Sequence, residues 1–368
     1  MKLFSHYTLG QMTLKNRMVM APMTRSRAIN NLPNDLMVEY YRQRATAGLI
    51  ITEGVAPSPN GLGYIRIPGI FDTAQISAWG KITDAVHAEG GKIIVQLMHT
   101  GRVAHPDNMV AGSRILAPSA IGMVGQMWTD TQGMQKFPAP VAMTFTDIEQ
   151  AQAEFVSAAR NAIAAGFDGV ELHGANGYLL DQFINTASNQ REDQYGGSIE
   201  NRNRFALEVA TRVAQAIGAD RTGIRLSPYG VYNEMEIFKD VDASYTQLAE
   251  ALGKLKLLYI HIVDHSAQGA PEVPTAVKAI IRERFAGEII ASGGLNKEKA
   301  EAILQTTDNL VAFGQAFLAN PDLVYRYEKD LPLNAADSSS FFTSDTKGYL
   351  DYPYAMQVAE AQSALGRV

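Results

Sequence analysis

Eight short apolar runs recur along the chain, at Met18–Ala21, Leu49–Gly54, Ile93–Leu97, Gly169–Leu172, Gly223–Leu226, Tyr259–Val263, Glu288–Ala291 and Leu310–Phe313. Most are rich in Val, Ile and Leu, and amphipathic stretches of helical length alternate with them. Runs this short and this uniformly apolar mark parallel strands covered by helices on their outer side. Eight such strand–helix units predict an α/β fold, a (β/α)8 TIM barrel, with its functional groups at the carboxyl ends of the strands. Helix signals fall between the runs. Thr146-Asp147 followed by Glu149 predicts a helix that reaches Ala164 and stops at Gly166, and Asn320-Pro321-Asp322 predicts another with proline at an early position.

Two segments break this rhythm. Leu3–Lys15 reads as a hairpin turning at Leu9-Gly10-Gln11 and closing the barrel floor. Met98–Phe145 is far longer than ordinary connections and holds many Gly, Pro, Ser and Met residues, which predicts a cap over the active site. No linker, low-complexity tract or short-period repeat interrupts the chain, so residues 1–368 read as one barrel domain with its core at about 3–354. The tail after Tyr354 carries weak helical character.

Composition narrows the function classes. A hydrophobic content of 46% with 19% charged residues suits a globular enzyme with a substantial core. The formal net charge of −6, with no Lys/Arg cluster, argues against a nucleic-acid partner. Cysteine is absent, which removes disulfides, thiolate metal sites, iron–sulfur ligation and a Cys nucleophile together. No carboxylate set suggests a metal. The N-terminal MKLFSHYTLG lacks a signal-peptide pattern and no apolar run has membrane-spanning length, so a cytoplasmic location without a membrane partner is expected.

The chemistry concentrates in GFDGVELHGANGYLLDQF, Gly166 to Phe183. A strand runs straight into a polar cluster, His173, Asn176 and Tyr178, that opens a helix with Leu179, Leu180 and Phe183 on its apolar face. Two neutral donors and a phenol at this spacing suit a ligand oxygen that gains negative charge, with a proton delivered nearby. A histidine at a strand end is also a common structural residue, and Asn-Gly is an ordinary turn signal. The continuation NQREDQYGGSIENRNRF, Asn189 to Phe205, carries a polar density that looks like a hydrogen-bonded scaffold for a site. Ser292-Gly293-Gly294 ends the seventh strand and Gly314 the eighth, where barrels commonly bind phosphate through backbone N–H groups.

HGANGYLLDQF followed by NQREDQYGGSIENR resembles the signature of the Old Yellow Enzyme family of flavin-dependent ene-reductases, which includes N-ethylmaleimide reductases and alkene reductases. Related segments are MAPMTRSRA, YYRQRATAGLIITEG, GGKIIVQLMHTGR, RLSP, AFGQAFLANPDL and GYLDYP, so the resemblance extends from about Leu3 to about Tyr354. It implies tightly but non-covalently bound FMN, with NADH or NADPH as reductant and activated alkenes as substrates. Pro22, Thr24 and Gly54 would lie beside the flavin ring, Gln96 at its pyrimidine edge, and Arg225 near N1. Ser292, Gly293, Gly294, Gly314 and Gln315 would hold the phosphate. His173 and Asn176 would bind the oxygen of an α,β-unsaturated carbonyl, imide or nitro compound. Hydride from flavin N5 would reach the β-carbon, and Tyr178 would protonate the α-carbon. Tyr64, Met98 and Phe342 would shape the substrate pocket. A monomer or homodimer is implied.

Four positions bear on this reading. Gln315 stands where the family usually has a phosphate-binding arginine, Phe341-Phe342 where it has Phe-Tyr, and Met98 where tryptophan is common. Asn176 is one of two family choices, histidine being the other. Rival readings are a non-turnover flavin-binding protein and a cofactor-free barrel lyase or isomerase acting on a phosphorylated substrate. The iron–sulfur branch of the superfamily needs clustered cysteines that this chain lacks.

Overall fold

In a computed structural model, which describes residues 1–306 and 309–357, eight parallel strands close into a barrel. In chain order they are β1 (Met18–Met20), β2 (Leu49–Val55), β3 (Ile93–Leu97), β4 (Gly169–Gly174), β5 (Thr222–Leu226), β6 (Tyr259–Val263), β7 (Glu288–Ser292) and β8 (Leu310–Phe313). Sequential strands pair, and β8 closes on β1 through Val311 opposite Met18 and Phe313 opposite Met20. All eight predicted runs are strands. Three end later than the apolar pattern indicated: β2 at Val55, β4 through His173 and Gly174, and β7 through Ser292.

The interior is layered. Val19, Leu49, Ile51, Ile94, Tyr259, Ile290 and Leu310 form an apolar lower layer with Leu9, Met12 and Leu14 packed beneath it. Those last three belong to an antiparallel hairpin of Tyr7–Leu9 and Met12–Leu14, so the N-terminal segment does close the floor. Burying the hairpin's apolar side removes strand-end surface from water at about 25 cal/mol per Å2. Above this layer the inward residues become polar: Gln96, Glu171, His173, Arg225, His261 and Ser292, all buried.

Two helix starts differ from the sequence reading. The long helix Phe145–Ala164 is capped by Thr144, whose hydroxyl accepts from Asp147 N–H while the Asp147 carboxylate accepts from Thr144 N–H. This reciprocal box outcompetes Thr146 as the cap. Pro321 lies before the helix Leu323–Glu328, whose N-cap is Asp322, because Asn320 spends its side chain on Ala316 O and Asn334 N–H.

Met98–Phe145 is not structureless. It contains an antiparallel hairpin, Gln126–Thr129 with Gly133–Lys136, and a short parallel pairing of Leu116–Ala117 with Val141–Ala142. The predicted tail helix falls mostly beyond residue 357, outside the described residues. No helix among the described residues is long and apolar enough to cross a membrane.

Candidate active site

The β4 junction is built by a tight reversal of the chain. Asn176 and Gly177 both adopt left-handed backbone, with φ of 60° and 74°. Asparagine tolerates this conformation, and at Gly177 a Cβ would also lie 2.7 Å from Tyr232 O. Buried Asp181 ties the reversal together, accepting from Gly177 N–H at 2.8 Å and from the Ser227 hydroxyl at 3.3 Å. Burial pushes its carboxyl up to about 6. Gln182 adds a second tie by donating to Gly177 O at 2.8 Å and Thr100 O at 3.0 Å. Tyr178 then occupies the N-cap position of the six-residue helix Leu179–Ile184.

The polar run that follows is a scaffold, as its density suggested. Asn189 donates to Phe183 O and Tyr195 O, Arg202 to Ile184 O, and Arg191 to Pro118 O and Met143 O. It therefore fastens the short helix to the base of the cap.

Asn176 and Arg225 open onto a cavity of about 540 Å3 at the carboxyl ends of the strands. Its wall also includes Pro22 and Thr24 after β1, Ser292 at the end of β7 with Gly293 and Gly294 after it, Gly314 and Gln315 after β8, and Phe342. Ten of the sequence-predicted site residues thus share one space. A wider cleft of about 1030 Å3 adjoins it through Thr24 and Phe342, and holds Tyr64 and Tyr178 with Met123, Met127, Trp128 and Met134 of the cap. The long insertion accordingly walls the outer cleft.

The remaining predicted residues sit behind these walls. His173 is buried at the top of β4, in register with Arg225 of β5, and its ring meets Tyr178 edge-on at 4.8 Å. Burial, with Arg225 and two other histidines nearby, holds His173 well below the usual imidazole range, so the ring is neutral at physiological pH. Its Nδ1 has no hydrogen-bond partner, and neither has Arg225 Nε. Tyr178 donates to the Tyr64 hydroxyl at 3.2 Å, and burial raises both phenols.

Gly54 and Met98 pack against each other behind the two spaces. Met98 is buried with Ala56, Leu62 and Ile67, and lines neither space. A Cβ on Gly54 would lie 2.5 Å from its sulfur, so the missing side chain makes room for Met98. A flexible thioether fits such an irregular gap.

The sequence reading missed what lies under the cavity. Glu171, wholly buried in β4, accepts from Gln96 Nε2 at 2.7 Å and pairs with His261 Nδ1 at 2.9 Å, while His261 Nε2 meets Ser292 Oγ at 2.9 Å. Burial alone would raise the Glu171 carboxyl, yet His261 and Arg225 hold it below its usual value. The interior thus places a carboxyl within the electrostatic reach of the Arg225 guanidinium. Gln96 gives its N–H to this network and keeps its amide oxygen for other partners. The Glu-Leu-His spacing of alternate strand positions pointed to this layer, since residues 171 and 173 share one face.

Arg25 and Arg27 were also unassigned. Arg25 donates to Gly348 O at 2.6 Å, and Arg27 to Phe341 O at 2.7 Å and Ser340 O at 3.0 Å. These buried guanidinia clamp the segment that carries Phe342 to the loop after β1.

A nucleotide fits this donor set. Gly293 has φ of 130°, and a Cβ there would lie 1.9 Å from Asp264 O, so only glycine allows the β7 loop to present its backbone to the cavity. The unpartnered Arg225 Nε suits an electron-rich ring edge, and Gln315 at the end of β8 is exposed and neutral. Among the described lining residues Arg225 is the one Lys or Arg.

The family model for the NADH:flavin oxidoreductase / NADH oxidase family matches residues 2–334. The chain belongs to this family, the Old Yellow Enzyme family. It is 40% identical over 356 residues to a probable flavin mononucleotide-dependent alkene reductase of Leishmania infantum, covering 94% of this chain and 95% of that one. The Old Yellow Enzyme homologue from Zymomonas mobilis superposes with a TM-score of 0.92 at 36% identity, covering 96% of this chain and 99% of that one. Morphinone reductase in complex with tetrahydroNAD superposes with a TM-score of 0.91 at 40% identity, covering 96% and 97%. The chain is therefore an oxidoreductase of the Old Yellow Enzyme type with the family's barrel.

Proposed function

We propose that the chain is an FMN-dependent ene-reductase that uses NADH or NADPH to reduce the C=C bond of α,β-unsaturated carbonyl, imide or nitro compounds. The observation that carries this reading is the cavity shared by Asn176, Arg225 and the β7 and β8 glycine loops, with Tyr178 on the adjoining cleft. Bound FMN would supply the hydride, having taken it from the nicotinamide.

The protein's own contribution is position and charge. Gly293, Gly294, Gly314 and Ser292 would hold the phosphate, with Gln315 in reach, and Arg225 would lie at the ring's electron-rich edge. Pro22, Thr24, Gln96 and Gly54 would frame the ring, Gly54 by letting Met98 pack behind it. His173 and Asn176 would hold the substrate oxygen. Both are neutral, so they polarise the alkene without leaving a fixed charge in an apolar cleft once product departs. Tyr178 would give its hydroxyl proton to the α-carbon. Its raised pKa keeps that proton in place across the neutral range. Tyr64, hydrogen-bonded to Tyr178, fixes the phenol's direction, and Phe342 covers the opening. These site roles, together with a cytoplasmic location, make up the proposal.

The test is an anaerobic titration of purified flavin-loaded protein. NADH or NADPH should bleach the flavin band, and 2-cyclohexenone or a nitroalkene should restore it. Bleaching that no activated alkene reverses would favour a non-turnover flavoprotein. A colourless protein that gains no band with added FMN would favour the cofactor-free reading.

A further inference from the structure

His265 follows β6 and lies outside the β4 junction, yet its Nε2 is 2.7 Å from Asn176 Oδ1. Its Nδ1 is 2.8 Å from Gln268 Oε1. Tyr232 packs against the ring at 4.3 Å and donates to the same Gln268 oxygen at 2.9 Å. Burial, reinforced by Arg225, lowers the His265 pKa, so a neutral ring with a single N–H must serve both neighbours.

The two tautomers have opposite consequences for the site. With the proton on Nε2, the ring donates to Asn176 Oδ1, and the Asn176 NH2 turns to the cavity. The Gln268 amide is then turned over from the placement above, so that its NH2 donates to Nδ1 and to the Tyr232 oxygen, which satisfies every group. With the proton on Nδ1, Nε2 must accept from Asn176, and the amide oxygen faces the cavity. The first arrangement binds a ligand oxygen carrying negative charge and the second repels it. The rest of Asn176 is already fixed: its N–H donates to Ser227 Oγ at 2.8 Å, and its carbonyl accepts from Asn233 Nδ2 at 2.7 Å. Amide rotation is the freedom that remains, and His265 is the side chain that meets the amide.

We propose that His265 is a positioning residue whose Nε2–H holds Asn176 Oδ1, so that Asn176 presents N–H to the substrate oxygen. This inference rests on the donor role assigned to Asn176 under the proposed function. A nearby imidazole, rather than the junction itself, would then set the polarity of half the oxygen site.

The experiment uses flavin-loaded wild type, His265→Leu, His265→Gln, Asn176→Ala and the double variant His265→Leu/Asn176→Ala. The probe is 4-chlorophenol, and its Kd is read from the long-wavelength charge-transfer band. Flavin content and melting temperature are recorded for each protein. Loss of amide orientation should weaken phenol binding about ten- to a hundredfold in His265→Leu, the scale of one hydrogen bond to a charged oxygen. The double variant should bind no worse than Asn176→Ala, because His265 acts only through that amide. His265→Gln, whose NH2 can replace the Nε2 donor, should recover most of the affinity. Additive losses in the double variant overturn the proposal, as does unchanged phenol binding in His265→Leu beside a weakened Asn176→Ala. If Asn176→Ala itself binds phenol normally, the donor reading of the oxygen site falls and this inference falls with it.

Discussion

Tyr178→Phe separates proton delivery from every other role of the β4 junction. The change removes one hydroxyl from a half-buried ring that meets His173 edge-on at 4.8 Å and Tyr64 at 6.1 Å, so the packing is retained. The lost interaction is a neutral hydrogen bond to Tyr64 at 3.2 Å, the long end of the range. Such a bond contributes about 0.5–1.5 kcal/mol to stability. For a chain of this size that predicts a melting temperature lower by only about 1–2 °C. The catalytic loss should be far larger. General-acid catalysis contributes about 10²–10⁴-fold, or roughly 2.7–5.5 kcal/mol of barrier. Stopped-flow measurement of the two half-reactions gives the contrast: flavin bleaching by NAD(P)H should stay within a few-fold of wild type, while reoxidation by 2-cyclohexenone slows by at least about a hundredfold. A nitroalkene should lose less, since its nitronate product can leave and be protonated in water. Because burial raises the Tyr178 pKa above its ordinary value, wild-type enone reduction should show no loss of the donor proton between about pH 6 and 9. Equal losses in both half-reactions would refute the reasoning and reduce Tyr178 to a packing residue.

Phenols should bind the oxidised protein as phenolates with a charge-transfer band, and replacing both His173 and Asn176 by Ala should abolish it; unchanged affinity removes both from the oxygen site. Gln315→Arg should tighten FMN binding about five- to tenfold by making one hydrogen bond charge-assisted, read by titrating FMN into apoprotein at matched ionic strength. No gain would mean that Gln315 does not face the phosphate or that another cation already does. Glu53, buried after β2 begins, has its pKa raised by burial from 4.5 to about 7. The folded state therefore holds this proton more tightly than the unfolded chain, and stability falls as pH rises from about 4.5 to 7. The loss is on the order of 3 kcal/mol. Glu53→Gln should flatten that slope in urea melts, and an unchanged slope would assign it to other groups.

The barrel was legible because its strands are uniformly apolar, and the β4 junction because a strand ran directly into His173, Asn176 and Tyr178. Their neighbours were not. Glu171 lies one strand repeat before His173 and reads as an isolated charge in an apolar run; only closure of the barrel brings it to Gln96 of β3 and His261 of β6. His265 has no local signal, since its contact with Asn176 spans 89 residues of chain. Arg25 and Arg27 sat inside a recognisable segment, but their partners are carbonyls near the other end of the chain. The place of Met98 was not legible for a geometric reason: whether a side chain faces a pocket or its back wall turns on one strand residue, here Gly54. Thr144 and Thr146 are both good caps in sequence, and the reciprocal bond with Asp147 decides between them.

The central claim is that hydrogen is added across an activated alkene from two sources, hydride through the flavin and a proton through Tyr178. Isotope placement in the product of 2-cyclohexenone reduction tests it most directly. Nicotinamide cofactor deuterated at the transferred C4 position, in ordinary water, should place deuterium on the β-carbon alone. Unlabelled cofactor in D2O should place it on the α-carbon, after correction for exchange of that position in free ketone. A saturated product carrying solvent deuterium at the β-carbon, or no saturated product while nicotinamide is consumed without oxygen, would contradict the account.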